Sequence, residues 1–128
     1  MPVKVLWNLL FVAITLAALG GCAADSVKGV FQSKGQRELS TGIHNYENGK
    51  YSEASKALQS ALASGLNSSD QVTAHKYLAF IHCTSGREKQ CRDEFRKVLD
   101  LNPALELEPA ESGHPIWGPV FRSLKARR

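Results

Sequence analysis

The sequence predicts an all-α domain behind an N-terminal signal peptide, and three observations predict it. In four successive segments, apolar residues recur three or four positions apart, which is the period of an amphipathic helix. Short polar segments rich in glycine, asparagine and serine separate the four, and none alternates apolar and polar residues as a half-buried strand does. Two of the predicted helix pairs are also similar to each other in sequence.

The first predicted helix pair begins at Gly35. Its helices are expected over 35–48 and from Tyr51 onward, with these residues on their apolar faces: Leu39, Gly42, Ile43 and Tyr46, then Tyr51, Ala54, Leu58, Ala61 and Leu62. The sequence NGK between them stops the first helix. Ser52 is the expected N-cap of the second helix, and Gly65 is expected to adopt the left-handed conformation after its end.

The second predicted pair follows the turn sequence NSSD. Its helices are expected over 71–84 and 89–101, with these residues on their apolar faces: Val72, Leu78, Ala79, Phe80, Ile81 and Cys83, then Phe95, Val98 and Leu99. We expect Ser69 or Asp70 to cap the first of these helices, and Gly86 to separate the two. Pro103 ends the second, because the residue before a proline is pushed out of the helical region.

The two pairs align with each other at an offset of 37 residues, so that Ala54 falls on Cys91 and Leu58 on Phe95. The pattern resembles the tetratricopeptide repeat, a pair of antiparallel helices of about 34 residues in which small and large side chains alternate. The resemblance implies two stacked helical hairpins. The alternative is an unrelated four-helix arrangement with the same helical period.

The N-terminus has the composition of a secretory signal peptide. Lys4 precedes an apolar run from Val5 to Leu19, and small residues follow. This run of about 15 residues is shorter than the roughly 20 that a membrane-spanning helix needs. An uncleaved anchor or a buried helix is the alternative.

The sequence LGGC that ends at Cys22 resembles the lipobox of bacterial lipoproteins. The resemblance implies that Cys22 becomes the first mature residue and carries lipid, and that Ala23 directs the protein to the outer membrane. We therefore expect a signal peptide at 1–21, the lipidated cysteine and a tether at 22–34, and the helical domain at 35–128. The lipid would hold the domain on the membrane, facing the periplasm, with each buried CH₂ contributing about 0.8 kcal/mol.

Two cysteines remain if Cys22 carries lipid. Cys83 and Cys91 are each four residues from Arg87, so they face each other across a helical turn, in a compartment where disulfides persist. A disulfide is therefore the preferred interpretation. One alternative is a metal site that also includes His75 and His82, but the spacing of these residues matches no zinc pattern. The other is a catalytic redox pair, but the two cysteines do not form a C-x-x-C motif.

The C-terminal segment contains a full apolar helix face. Its members lie at positions i, i+3, i+4 and i+7: Trp117, Val120, Phe121 and Leu124. Because prolines are tolerated only near a helix start, this helix is expected to begin between Pro115 and Gly118. We expect it to cap the open end of the hairpins. The alternative is that Trp117 and His114 belong to a partner surface.

The lipobox, the hairpins and the terminal sequence HPIWGPVFRSLK together are similar to the small TssQ-family lipoproteins associated with bacterial type VI secretion. The lipobox and hairpins are generic, whereas the proline-tryptophan tail is the specific part. The resemblance implies a membrane-anchored adaptor.

The sequence does not indicate an enzyme. His44, His75, His82 and His114 lie near no G-x-S-x-G, H-E-x-x-H or phosphate-loop pattern, so we expect no catalytic residue, no cofactor, no metal and no small-molecule substrate. The net charge of +4 is small, and the sequence contains no run of like charges. A nucleic-acid partner is therefore not indicated either.

A protein partner is the remaining expectation. Stacked helical hairpins form a concave face lined by the first helix of each pair, which makes these residues the candidates: Leu39, Ile43, Tyr46, Lys76 and Phe80, joined by His114 and Trp117 from the tail. Ordinary core packing is the alternative for each. A second hypothesis for function is an envelope-assembly lipoprotein that serves outer-membrane protein or pilus biogenesis.

Overall fold

The structure is a computed structural model that describes residues 32–128. The predicted signal peptide, Cys22 and most of the tether lie outside these residues. The described part contains six helices and no strand: α1 Lys34–Glu47, α2 Tyr51–Ala63, α3 Ser68–Thr84, α4 Glu88–Leu101, α5 Pro109–Ser112 and α6 Trp117–Lys125. The predicted all-α fold of two helical hairpins and a C-terminal helix is confirmed.

The first hairpin consists of α1 and α2. Ser33 caps α1, because its Oγ accepts a hydrogen bond from the Gln36 N–H at 3.2 Å while the Gln36 side chain accepts one from the Ser33 N–H at 3.1 Å. Gly42 lets the helices approach closely, since a Cβ there would lie 2.7 Å from Leu58 Cγ. Lys50 is the N-cap of α2 and makes no side-chain cap, so the prediction of Ser52 was wrong.

The second hairpin consists of α3 and α4, and α3 is the central helix of the domain. Asn67 caps it by accepting a hydrogen bond from the Asp70 N–H at 2.8 Å, which corrects the prediction of Ser69 or Asp70 as the cap. One side of α3 packs in the core of the first hairpin through Leu78 and Ile81. Another side packs in the core of the second through Ala79 and Phe80, so α3 is shared by both cores.

The C-terminal segment closes the second hairpin. Phe121 of α6 packs against Phe95 of α4, with ring centroids 5.3 Å apart. Lys125 donates a hydrogen bond to the Leu105 carbonyl at 2.8 Å, and Arg128 donates one to the Leu99 carbonyl at 3.1 Å. The capping role predicted for this segment is therefore confirmed, whereas the short helix α5 was not predicted.

Within the described residues, none of the helices has the length and apolar character that crossing a bilayer requires.

Candidate interaction surface

Six aromatic rings form a continuous row that runs from the first hairpin to the tail. In order, they are Tyr51, Tyr46, Tyr77, Phe80, Trp117 and His114. The distances between successive ring centroids are 5.5, 5.0, 5.9, 4.4 and 3.3 Å. Most of these separations fall in the range in which aromatic pairs attract each other beyond simple burial. The row therefore links α1, α2, α3 and the tail in one packed unit.

The members of this row differ in exposure. Phe80 is 2% exposed and Trp117 is 7% exposed, so both belong to the core. Tyr46 and Tyr77 are half-buried, and Tyr51 is 45% exposed. We call Tyr46, Tyr51 and Tyr77 the tyrosine face. It is an accessible aromatic surface that packs on the buried ring of Phe80, which in turn stacks on Trp117.

The tyrosine face also carries three hydroxyl groups. Among the hydrogen bonds between described residues, none involves the hydroxyl of Tyr46, Tyr51 or Tyr77. Burial, followed by the neighbouring tyrosines and Glu111, raises the pKa of Tyr46 to about 12. Burial also raises the pKa of Tyr77. Both phenols are therefore neutral at neutral pH and can donate a hydrogen bond to a partner's carbonyl.

An ion pair at the edge of the tyrosine face joins α3 to the tail. Lys76 Nζ lies 2.7 Å from Glu111 Oε1, and both side chains are mostly buried. The same ammonium lies 5.6 Å from the centroid of the Tyr77 ring and 5.8 Å from that of Phe80, within cation–π range. The Trp117 indole N–H donates to the Glu111 carbonyl at 2.8 Å. These contacts fix the position of the tail against α3.

The structure separates the residues predicted to bind a partner into two groups. Ile43 and Tyr46 remain partly exposed, as do Lys76 and His114. Leu39, which is 6% exposed, lies in the core, as do Phe80 and Trp117. For these three side chains, the alternative of ordinary packing describes what is observed, because a buried side chain offers little area to a partner.

Two members of the tyrosine face are not among the partner-binding residues that the sequence predicts. Tyr51 follows the apolar spacing of α2, but its side chain is 45% exposed and does not belong to the core. Tyr77 was not singled out, although it contacts the rings of both Tyr46 and Phe80. Its spacing from Phe80, three positions along one helix, was the available signal.

Cys83 and Cys91 face each other across the α3–α4 turn, as their spacing predicts. Their Cα atoms are 4.9 Å apart and the structure joins their sulfurs. Both side chains are buried. A disulfide between Cys83 and Cys91 therefore fits the backbone of the second hairpin without rearrangement.

The two histidines of the alternative metal site have other environments. His75 donates to the buried Glu94, with Nδ1 and Oε2 2.6 Å apart, and Lys97 donates to the other carboxylate oxygen at 2.7 Å. His82 Nδ1 is buried and has no hydrogen-bond partner among residues 32–128. Burial, followed by the charge of Arg87, lowers the pKa of this imidazole. No group of three His, Cys, Asp or Glu side chains in the described residues is placed to hold a metal ion.

Burial raises the pKa of Glu94, but the hydrogen bonds from His75 and Lys97 outweigh this and hold the pKa below its ordinary value. The carboxylate is therefore ionised at neutral pH. It connects α3 to α4 as part of a three-residue network.

Comparisons with models of known protein families, with characterised proteins and with solved structures found no match to this chain.

Proposed function

We propose that this protein is a lipid-anchored interaction module of the bacterial envelope, which binds a segment of a partner protein on the tyrosine face. The observation that supports this proposal is the combination of three accessible tyrosine rings with hydroxyls that have no partner among the described residues. Tyrosine is enriched at protein interfaces because its ring supplies apolar area and its hydroxyl supplies a hydrogen bond. Half-buried rings also lose little conformational freedom on binding, which favours affinity.

The membrane anchor in this proposal rests on the lipobox-like sequence that ends at Cys22. The choice of biological system rests on the resemblance of the tail to TssQ-family lipoproteins, so we assign the module to a type VI secretion system. The second candidate is assembly of outer-membrane proteins or pili, which the same anchor and fold would serve.

Co-purification from the native bacterium tests the proposal. After chemical cross-linking, the full chain is expected to recover a defined protein partner, and the Tyr46→Ala and Tyr77→Ala variants are expected to lose it. Gln90→Ala is the matched control, because Gln90 is exposed on α4, away from the tyrosine face, and makes no side-chain hydrogen bond among the described residues. Tyr77→Phe separates the contribution of the hydroxyl from that of the ring.

The identity of the recovered partner decides between the two systems. Components of the secretion sheath or its membrane complex support the first candidate, and barrel-assembly or pilus proteins support the second. Equal recovery by wild type and both tyrosine variants, with unchanged melting temperatures, would show that the tyrosine face is not the binding site.

A further inference from the structure

A second surface feature borders the tyrosine face. It is a cleft of about 320 Å³ between the start of α2 and the turn that joins α3 to α4. The residues that matter for its chemistry are Tyr51, Ser52, Ser55, Lys56, Ser85 and Arg87. Two cationic side chains and three serine hydroxyl groups therefore meet in one concave site, beside the ring of Tyr51.

No ion pair between described residues neutralises the charge of this cleft. Neither Lys56 nor Arg87 takes part in an ion pair between described residues, and no aspartate or glutamate is among the described residues that line the cleft. The lysines and arginines of α4 differ from them in this respect. Lys89 and Arg92, for example, each lie within 3 Å of a carboxylate on the same helix.

The hydroxyl groups of the cleft can donate hydrogen bonds to the same anion that its cations attract. Ser52 and Ser55 form no side-chain hydrogen bond among the described residues, so both hydroxyls can donate to an incoming oxygen. Ser85 already donates to the Ile81 carbonyl at 2.7 Å. Cations combined with free hydroxyl donors favour an anion that accepts several hydrogen bonds, and a carboxylate is such a group.

The cleft and the tyrosine face form one continuous surface. Tyr51 lines the cleft, and its ring also contacts that of Tyr46 at a centroid distance of 5.5 Å. A peptide segment that covers the tyrosine face would therefore reach the cleft within a few residues.

We propose that the cleft receives an acidic side chain, aspartate or glutamate, of the same partner segment that lies on the tyrosine face. This inference rests on the proposed function and specifies its ligand. The recognised segment combines an apolar or aromatic residue, which packs on Tyr46 and Tyr77, with a nearby carboxylate held by Lys56 and Arg87. Charge complementarity then sets the position of the segment along the surface.

Selection from a random peptide library displayed on phage tests this inference. The peptides are fused to the coat protein through their C-termini, so only side-chain carboxylates can enter the cleft. With the full chain purified in detergent as bait, the selected peptides are expected to be enriched in aspartate and glutamate. Their binding should weaken about tenfold in Lys56→Ala or Arg87→Ala, as expected for the loss of a charge-assisted hydrogen bond.

Arg127→Ala is the matched control, because it removes one exposed positive charge at the C-terminus, where Arg127 is not part of an ion pair between described residues. It should leave peptide binding unchanged. A loss of affinity equal to that of Lys56→Ala would show that only net charge matters and would overturn the inference.

The remaining outcomes distinguish this inference from the proposed function. If peptides without acidic residues are selected, and Tyr77→Ala abolishes their binding while Lys56→Ala does not, the tyrosine face binds peptides and the cleft inference is wrong. If the library yields no binding peptide although the full chain recovers its partner through Tyr46 and Tyr77, the cleft inference is wrong and the proposed function stands.

Discussion

Trp117 of the tail stacks on Phe80 of α3, with ring centroids 4.4 Å apart and 25° between the ring planes. Phe80 also lies beneath Tyr46 and Tyr77, with centroid distances of 6.3 and 5.9 Å. The tail therefore does more than cover the end of the second hairpin. It supports the Phe80 ring on which Tyr46 and Tyr77 pack. The folding of the tail and the shape of the proposed binding surface are therefore coupled.

Replacement of Trp117 by alanine tests this coupling. Because the ring is buried against Phe80, we expect Trp117→Ala to lower the free energy of unfolding by about 3–5 kcal/mol, as large-to-small changes in cores do. Urea denaturation followed by circular dichroism measures this value. Ile116→Ala is the control. Ile116 is the neighbour of Trp117, but its side chain is 48% exposed, so its removal should change the free energy of unfolding little. Equal, small effects in the two variants would show that the tail is not part of the core.

A methyl group at Gly42 tests the contact between α1 and α2. The new Cβ would lie 2.7 Å from Leu58 Cγ, and overpacking of this kind costs about 1–3 kcal/mol. Gly113→Ala is the matched control, because its Cβ would meet nothing closer than the Pro109 carbonyl at 3.4 Å. Thermal melts of both variants should show a clear loss of stability only at position 42, and a Gly42→Ala protein as stable as wild type would contradict the close approach.

The helices could be predicted from the sequence because their apolar residues follow the helical period. The pattern at Trp117, Val120, Phe121 and Leu124 identified the capping helix, whose apolar side chains then pack on α3 and α4. Local chemistry was harder to predict. Asn67 rather than Ser69 caps α3, since several adjacent residues in that turn can each serve as a cap and only the backbone geometry selects one.

The candidate surface depends on contacts between distant residues, which a single sequence does not show. Tyr51 has the spacing of a core residue, but it is the first residue of α2, so its ring lies at the end of the hairpin and remains 45% exposed. The burial of Glu94 likewise depends on His75, nineteen positions earlier on another helix. Periodicity predicts which face of a helix is buried, but not which polar groups meet across the interface.

The buried Glu94 predicts a dependence of stability on acid pH. Its pKa in the folded protein is lower than the ordinary value of 4.5, so its contribution to stability is present above that value and is lost as the pH falls through the folded pKa. We therefore expect the melting temperature of the wild type to fall more steeply below about pH 4.5 than that of Glu94→Gln. Glu53→Gln, which changes an exposed residue of α2, is the control and should follow the wild-type curve. Parallel curves for wild type and Glu94→Gln would rule out the network as the source.

The proposed lipid anchor predicts the result of metabolic labelling. Cells given a radioactive fatty acid should incorporate label into the wild-type chain but not into Cys22→Ser, which should also no longer fractionate with the outer membrane. The double variant Cys83→Ala/Cys91→Ala is the control and should keep its label, because its lipobox-like sequence is intact. An unlabelled wild-type chain would exclude the lipoprotein hypothesis.

The geometry of Cys83 and Cys91 predicts a disulfide in the mature protein, which we propose is exported. Their Cα atoms are 4.9 Å apart across the α3–α4 turn, so counting free thiols under denaturing conditions should find none at these positions. Closing so short a loop contributes roughly 2–3 kcal/mol in the loop-entropy model, and the double alanine variant should melt at a lower temperature. Its helical content should change little, because Phe95, Val98 and Leu99 still pack the hairpin. Two reactive thiols in periplasmic material would contradict the disulfide, and zinc that is lost on replacing His82 would restore the metal-site alternative.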